Sequence, residues 1–185
     1  MKTLLCDLVT DIRMLSRVPV SAFFTVIFPS LMLIIMMTSY GNPDIGSGIR
    51  LSDKYILIAS GMGLAPLTLI TFPSWICSSV ESSYLLRLKY LHVSLARVAT
   101  SNALAHMVVA LCGTAVTLAV GVLFYDMRIP SLPALIAYLL QLVVVTASLM
   151  LFGAALAFIV RQTAVAIAVG LVLMFVVYML CGVFG

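Results

Sequence analysis

Charge is what this sequence most lacks. Only 9% of its 185 residues are Asp, Glu, Lys or Arg, against 64% that are hydrophobic, and the mean hydropathy is +1.26. That is too little charge to cover a water-soluble domain of this length, so the chain reads as an integral membrane protein. Catalytic signatures are missing too. Neither GSG at Gly46–Gly48 nor GMG at Gly61–Gly63 is joined to the Gly-Lys-Ser/Thr of a phosphate loop, so the chain carries no ATPase motif of that kind. There is no HExxH, no GxSxG and no cluster of carboxylates, and Ser79, Ser82 and Ser83 have no evident base. Cys6, Cys77, Cys112 and Cys181 are scattered, with no CxxC and no His at zinc spacing, and read as small apolar fillers. The N-terminus has a long polar region, a first apolar run of full membrane length and no A-x-A site, which argues against a cleavable signal.

What is present is long apolar runs. About 20 apolar residues cross a ~30 Å hydrocarbon core as a helix. Five segments qualify, at 18–38, 55–80, 98–124, 132–160 and 164–183, which predicts an all-α polytopic transmembrane bundle forming one domain over 1–185. Pro29, Pro66 and Pro73 predict kinks in the first two, since each removes a backbone donor. With the N-terminus in the cytoplasm, Lys2, Arg13, Arg17, Arg87, Lys89, Arg97 and Arg161 lie inside, against Arg50, Lys54 and Arg128 outside. That asymmetry favours an N-inside, multi-pass protein of the cell membrane, and it accounts for the net charge of +4 without nucleic acid. Tyr40, Tyr55, Tyr125 and Tyr178 fall near the outer boundary in this frame and Trp75 near the inner one. The run ending MLCGVFG has no polar tail, which suggests a chain cut short.

Before the first span, residues 2–17 are amphipathic. Leu4, Leu5, Leu8, Val9, Ile12 and Leu15 recur at helical spacing, with Asp7, Thr10, Asp11 and Arg17 elsewhere on the wheel, the pattern of an interfacial helix. The loop SYGNPDIGSGIRLSDK reads as turns. The segment 81–97 is too charged to cross the bilayer. Two readings account for it: a positive-inside loop with an interfacial helix, or a short helix offered to a soluble partner.

Several stretches resemble one family, the type-2 permeases of ATP-binding-cassette (ABC) exporters. Those permeases have an interfacial helix, then a first span patterned RxP…F…lifPll; here Arg17-Val18-Pro19 is followed by Phe24-Thr25-Val26-Ile27-Phe28-Pro29-Ser30-Leu31. After the second span they carry a segment like ESGTLxxLxxxPVS. This chain has Glu81-Ser82-Ser83-Tyr84-Leu85, then Leu88, then His92-Val93-Ser94, with Ser83 in place of glycine, Tyr84 of threonine and His92 of proline. The resemblance also covers helix order and loop placement to about residue 185. It implies that Glu81, Ser82, Leu85, Arg87, Leu88, Lys89, His92 and Ser94 belong to a coupling helix that docks on a separate ATP-binding-cassette subunit. It further implies a second permease copy or relative, ATP used by the partner with no cofactor bound by this chain, and a sixth span that is missing here. The substrate is not specified.

Three polar residues fall inside the apolar runs. Asn102 and His106, four apart on one face of the third span, predict interhelical or interfacial hydrogen bonds, and the deeper Gln141 predicts packing glue between helices. Small residues at i, i+4 (Ala59/Gly63, Ser101/Ala105, Ala115/Ala119, Gly153/Ala157, Ala166/Gly170) predict close helix packing. Two rivals to the transporter reading remain: a non-transporting immunity or assembly factor, and a membrane-embedded enzyme using Glu81, His92 and His106.

Overall fold

A chain that leaves water must satisfy its backbone within each segment, and the long apolar runs do so as helices. The computed structural model describes residues 2–17, 23–46, 49–125, 127 and 131–180. The expected start of the first span with Val18 and Pro19, the end of the last at 181–183, the loop charges Asp126 and Arg128, and Cys181 lie outside them. Helix α1 is Lys2–Ser16. Among the described residues, five helices are long and apolar enough to cross a membrane: α2 (Phe23–Tyr40), α3 (Leu51–Glu81), α5 (Leu95–Tyr125), α6 (Leu132–Val160) and α7 (Thr163–Leu180). The short α4 (Tyr84–Tyr90) joins α3 to α5.

Helix α3 is the axis of the bundle. Two thirds (67%) of its most apolar stretch is buried, against 22–28% for the other four, so the remaining helices pack around it and show their outer faces to the surroundings. Clusters centred on Leu64 and Leu67, on Met62 and Leu69, and on Ile56 join α3 in turn to α1, α5 and α6, to α7, and to α2.

The three prolines shape the core. Helix α2 opens with a π-helical turn at Phe23–Ile27, and α3 carries a second at Leu67–Thr71, between Pro66 and Pro73. A proline has no N–H for the carbonyl four residues earlier, so Pro29, Pro66 and Pro73 withhold the regular donor from Thr25, Met62 and Leu69. Each of those carbonyls faces another helix. The Tyr178 hydroxyl of α7 donates to the Met62 carbonyl at 2.5 Å. Thr25 O abuts Gly113 of α5 and Leu69 O abuts Gly170 of α7, so closely that a Cβ would stand 2.4 Å and 2.3 Å away. Thr68 O meets Gly153 of α6 in the same way, at 2.5 Å. Backbone approach of this kind suits Cα–H···O contacts and gives the small residues their role. Four of the five small pairs are buried; Ala115 and Ala119 are exposed on α5.

At one end of the bundle, the loop expected to be turns contains a minimal antiparallel hairpin, β1 (Asp44–Gly46) with β2 (Ile49–Arg50). Asn42 fixes it: its Nδ2 donates to the Tyr125 carbonyl at 3.0 Å, and its Oδ1 accepts the Ser52 N–H at 3.0 Å. Asp53 accepts the Arg50 N–H at 3.0 Å. These caps start α3 at Leu51, four residues before the expected Tyr55, by satisfying the free N–H groups of its first turn.

Candidate functional site

The opposite end of the bundle holds the segment singled out in the sequence. Helix α3 ends at Glu81, and Ser83 takes a left-handed conformation, φ 56°. That bend starts α4, none of whose residues is buried. The helix closes through His92, also left-handed at φ 58°, with the His92 N–H donating to the Lys89 carbonyl at 3.1 Å and the Val93 N–H to the Leu88 carbonyl at 3.0 Å. This pair of bonds is a Schellman C-cap with His92 at the position glycine usually fills. Ser94 then accepts the Arg97 N–H on its side chain at 3.5 Å, a loose N-cap for α5.

The side chains sort by face. Leu85, Leu88 and Val93 are half-buried toward the bundle, while Arg87, Lys89, His92, Ser82 and Ser94 are exposed. The apolar side toward the bundle is incomplete, because Leu91 is 72% and Tyr84 44% exposed, and Leu86 and Tyr90 are exposed with them. Uncovered apolar area beside two cations, outside the five apolar helices, is an unsatisfied surface.

Glu81 is not part of that surface's chemistry. Its carboxylate accepts the Thr163 N–H at 2.9 Å and the Thr163 hydroxyl at 2.5 Å. It therefore caps α7, where the helix dipole favours an anion, and binds the end of α3 to the start of the last helix. Just before it, Arg161 (φ 57°) ends α6 through its N–H to Ala157 at 2.9 Å, and the Cys77 thiol meets the same carbonyl at 3.6 Å.

Helix α1 docks on α5 through two pairs of residues, each i, i+4. Arg97 Nε lies 3.0 Å from Asp7, and the Ser101 hydroxyl donates to Asp11 at 2.6 Å. Leu15 is buried against Leu64, Leu67 and Ala105, with Leu8 and Ile12 packed beside it, whereas Leu5 and Val9 remain exposed. The sequence placed both aspartates on the polar face of the wheel; the matching spacing of Arg97 and Ser101 was the available signal that they are partners.

Asn102 and His106 sit under this junction, 3% and 1% exposed. Of the interhelical or interfacial hydrogen bonds expected of them, no interhelical one is made by their side chains among the described residues. His106 Nδ1 lies 2.9 Å from the Asn102 carbonyl of its own helix, and its ring meets the Phe72 ring edge-on at 5.3 Å. His106 Nε2 and Asn102 Oδ1 are buried without a partner. Gln141 is exposed on α6, so within one chain it joins no helices. Glu81, His92 and His106 are not brought together: the first holds Thr163, the second is exposed, and the third lies in the core. Among the described residues no group of His, Cys, Asp and Glu could hold a metal ion. Comparisons with protein-family models, with curated proteins and with solved structures find no match.

Proposed function

We propose that the chain is the membrane-spanning subunit of an ATP-driven exporter of the ABC type-2 kind, and that Glu81–Ser94 couples it to a separate ATP-binding subunit. The observation that carries the reading is α4: a short helix held between two left-handed residues, with exposed Arg87 and Lys89 beside exposed Tyr84, Leu86, Tyr90 and Leu91. A surface of that composition suits a protein partner better than water.

Position 83 supports the resemblance further. The family's glycine would occupy a left-handed conformation at no steric cost, and Ser83 adopts that conformation. Position 92 departs from it, because a proline fixed near φ −65° could neither take the φ of 58° nor donate the N–H bond to Lys89. The coupling segment is thus ended by a Schellman cap where relatives would use proline.

In this reading α4 and α1 lie at the cytoplasmic face of the cell membrane. Helix α1 rests in the interface, with Leu5 and Val9 toward lipid and its aspartates on α5. Two copies, or one copy and a relative, form the path; the exposed faces of α5 and α6, with Ala115, Ala119 and Gln141, are available to a second subunit or to lipid. ATP binding closes the partner subunits, which push on α4. The Glu81–Thr163 clamp passes that push to α3 and α7 together.

The test is charge reversal. Arg87→Glu with Lys89→Glu should lower retention of an ATP-binding subunit on the tagged chain at least tenfold, as loss of rim and docking charges does, with insertion topology by cysteine labelling unchanged. Undiminished retention, or retention lost only together with altered topology, would sink the coupling role and leave a loop that merely sets orientation.

A further inference from the structure

Helix α6 carries four polar side chains, and three of them have partners inside the chain. The Tyr138 hydroxyl donates to Ser60 of α3 at 2.7 Å. Thr146 and Ser148 donate to the Leu142 and Val144 carbonyls of their own helix, at 2.7 and 2.8 Å. Gln141 is the fourth, and it is exposed with no hydrogen bond among the described residues. Its depth makes that costly. Nine residues, Leu132–Leu140, separate it from the start of α6, so it lies about 13 Å along the helix at ~1.5 Å per residue. A 29-residue helix overhangs a ~30 Å hydrocarbon core by about 7 Å at each end, which leaves Gln141 about 7 Å inside the core. Exposed Ile136 and Leu140 lie on one side of it along the helix and exposed Val144 and Leu151 on the other. Acyl chains offer an amide nothing to bond. The buried side of α6 is elsewhere, at Leu142, Thr146, Met150, Gly153 and Ala157, so a partner for Gln141 has to come from outside this chain.

The surface around Gln141 has the shape of a seam. Ala137, Gln141, Val144, Ser148, Leu151 and Ala155 follow one another at spacings of four, three, four, three and four, and all six are exposed. That is the repeat by which two helices stay in contact at a shallow crossing angle. Ala137, Ser148 and Ala155 are small enough to let two backbones approach. The chemistry then selects the occupant. A carboxamide is its own complement, because Nε2 donates and Oε1 accepts. Two copies of one topology are related by a two-fold axis along the membrane normal, which sets each α6 residue opposite its counterpart at the same depth. Two Gln141 side chains so placed exchange a reciprocal pair of hydrogen bonds. The exposed Ala115 and Ala119 of α5 offer small side chains but no unsatisfied amide.

We infer that α6 is the pairing face of the chain, joined in parallel to α6 of a second copy, with Gln141 bonded to the partner subunit's Gln141. The inference deepens the exporter reading and rests on it only for the expectation of a second subunit, whose position that reading leaves open. Pairing through α6 needs no ATP-binding subunit. It is therefore tested on this chain alone, so that failure of the seam and failure of the coupling role are told apart.

The full chain, with Cys6, Cys112 and Cys181 changed to serine and the fully buried Cys77 kept, is inserted in phosphatidylcholine vesicles. Energy transfer between donor- and acceptor-tagged copies reports pairing as lipid is added. Transfer should fall with dilution along a monomer–dimer curve. Gln141→Leu, at an exposed position, should raise the apparent dissociation constant about tenfold, the scale of losing two interhelical hydrogen bonds. Gln141→Asn keeps the carboxamide and should keep most of the affinity. Single cysteines then locate the seam. Oxidation should join two copies through Val144→Cys and through Ser148→Cys, but not through Val172→Cys on the exposed side of α7. The inference is overturned by monomers at every dilution, by pairing undiminished in Gln141→Leu, or by joining as ready through Val172→Cys as through α6. Labelling of Val144→Cys and Ser148→Cys by a water-soluble maleimide would overturn it too, by assigning this face to an aqueous path.

Discussion

The packing of α3 makes a quantitative prediction, because one of its glycines is an internal control for three others in the bundle. A Cβ added at Gly61 of α3 meets nothing within 4 Å. A Cβ added at Gly113, Gly153 or Gly170 would lie 2.4, 2.5 and 2.3 Å from the carbonyl oxygens of Thr25, Thr68 and Leu69, closer than a carbon can approach an oxygen. The obstacle is backbone, so no side-chain rotation relieves it and two helices must separate. Overpacking of that kind costs about 1–3 kcal/mol. The alanine itself returns up to about 1 kcal/mol of helix propensity at every one of the four positions. Gly61→Ala should therefore be neutral or stabilising, and each of the other three destabilising relative to it by about 1–3 kcal/mol. For a chain of this length that separation is about 2–12 °C in melting temperature. The assay is thermal exposure of the Cys77 thiol, which is fully buried, to a thiol-reactive fluorophore in a background where Cys6, Cys112 and Cys181 are serine. Equal melting temperatures for Gly61→Ala and the other three would refute the carbonyl-to-glycine packing.

Two further outcomes follow from single contacts. Tyr178→Phe leaves the Met62 carbonyl without its 2.5 Å donor, and loss of a buried partner should cost about 1–3 kcal/mol in the same melting assay; a variant as stable as the parent would show that the carbonyl is satisfied otherwise. Ser83→Gly removes a left-handed strain of about 1 kcal/mol and should slow tryptic cleavage after Arg87 and Lys89, whereas His92→Pro destroys the C-cap and should speed it; equal rates would mean α4 is not held by its two bends.

The helices were legible because length and apolarity are enough to define a membrane-crossing segment. The fourth expected span, 132–160, coincides with α6. Other ends differ where a local cap extends a helix past its charges, as Arg50 and Asp53 do for α3. Kinks at Pro29, Pro66 and Pro73 could be foreseen, but not that the carbonyls they release would be met by Gly113, Tyr178 and Gly170, since those partners lie about 90 to 120 residues away in sequence. Which face of each helix turns inward was equally hidden. Lipid and core are both apolar, so Ala115 and Ala119 look no different in sequence from Ala166 and Gly170, yet the first pair is exposed and the second buried. The candidate coupling segment stood out through its charge. Its bond from Glu81 to Thr163 and the approach of Asp11 to Ser101 did not, because each joins residues more than 80 positions apart.

The order of those partners along the chain bears on how the protein is made. Thr25, Met62, Thr68 and Leu69 are synthesised before the residues on α5, α6 and α7 that meet their carbonyls. Helices α2 and α3 thus enter the bilayer with proline-released carbonyls awaiting chain that does not yet exist, and α3, the most enclosed helix, is at first the one with fewest neighbours. Lipid offers those carbonyls no hydrogen bonds. Each helix that arrives later closes a polar gap opened by an earlier one, so the prolines fix an assembly sequence as well as a shape, with α7 closing the gaps at Met62 and Leu69.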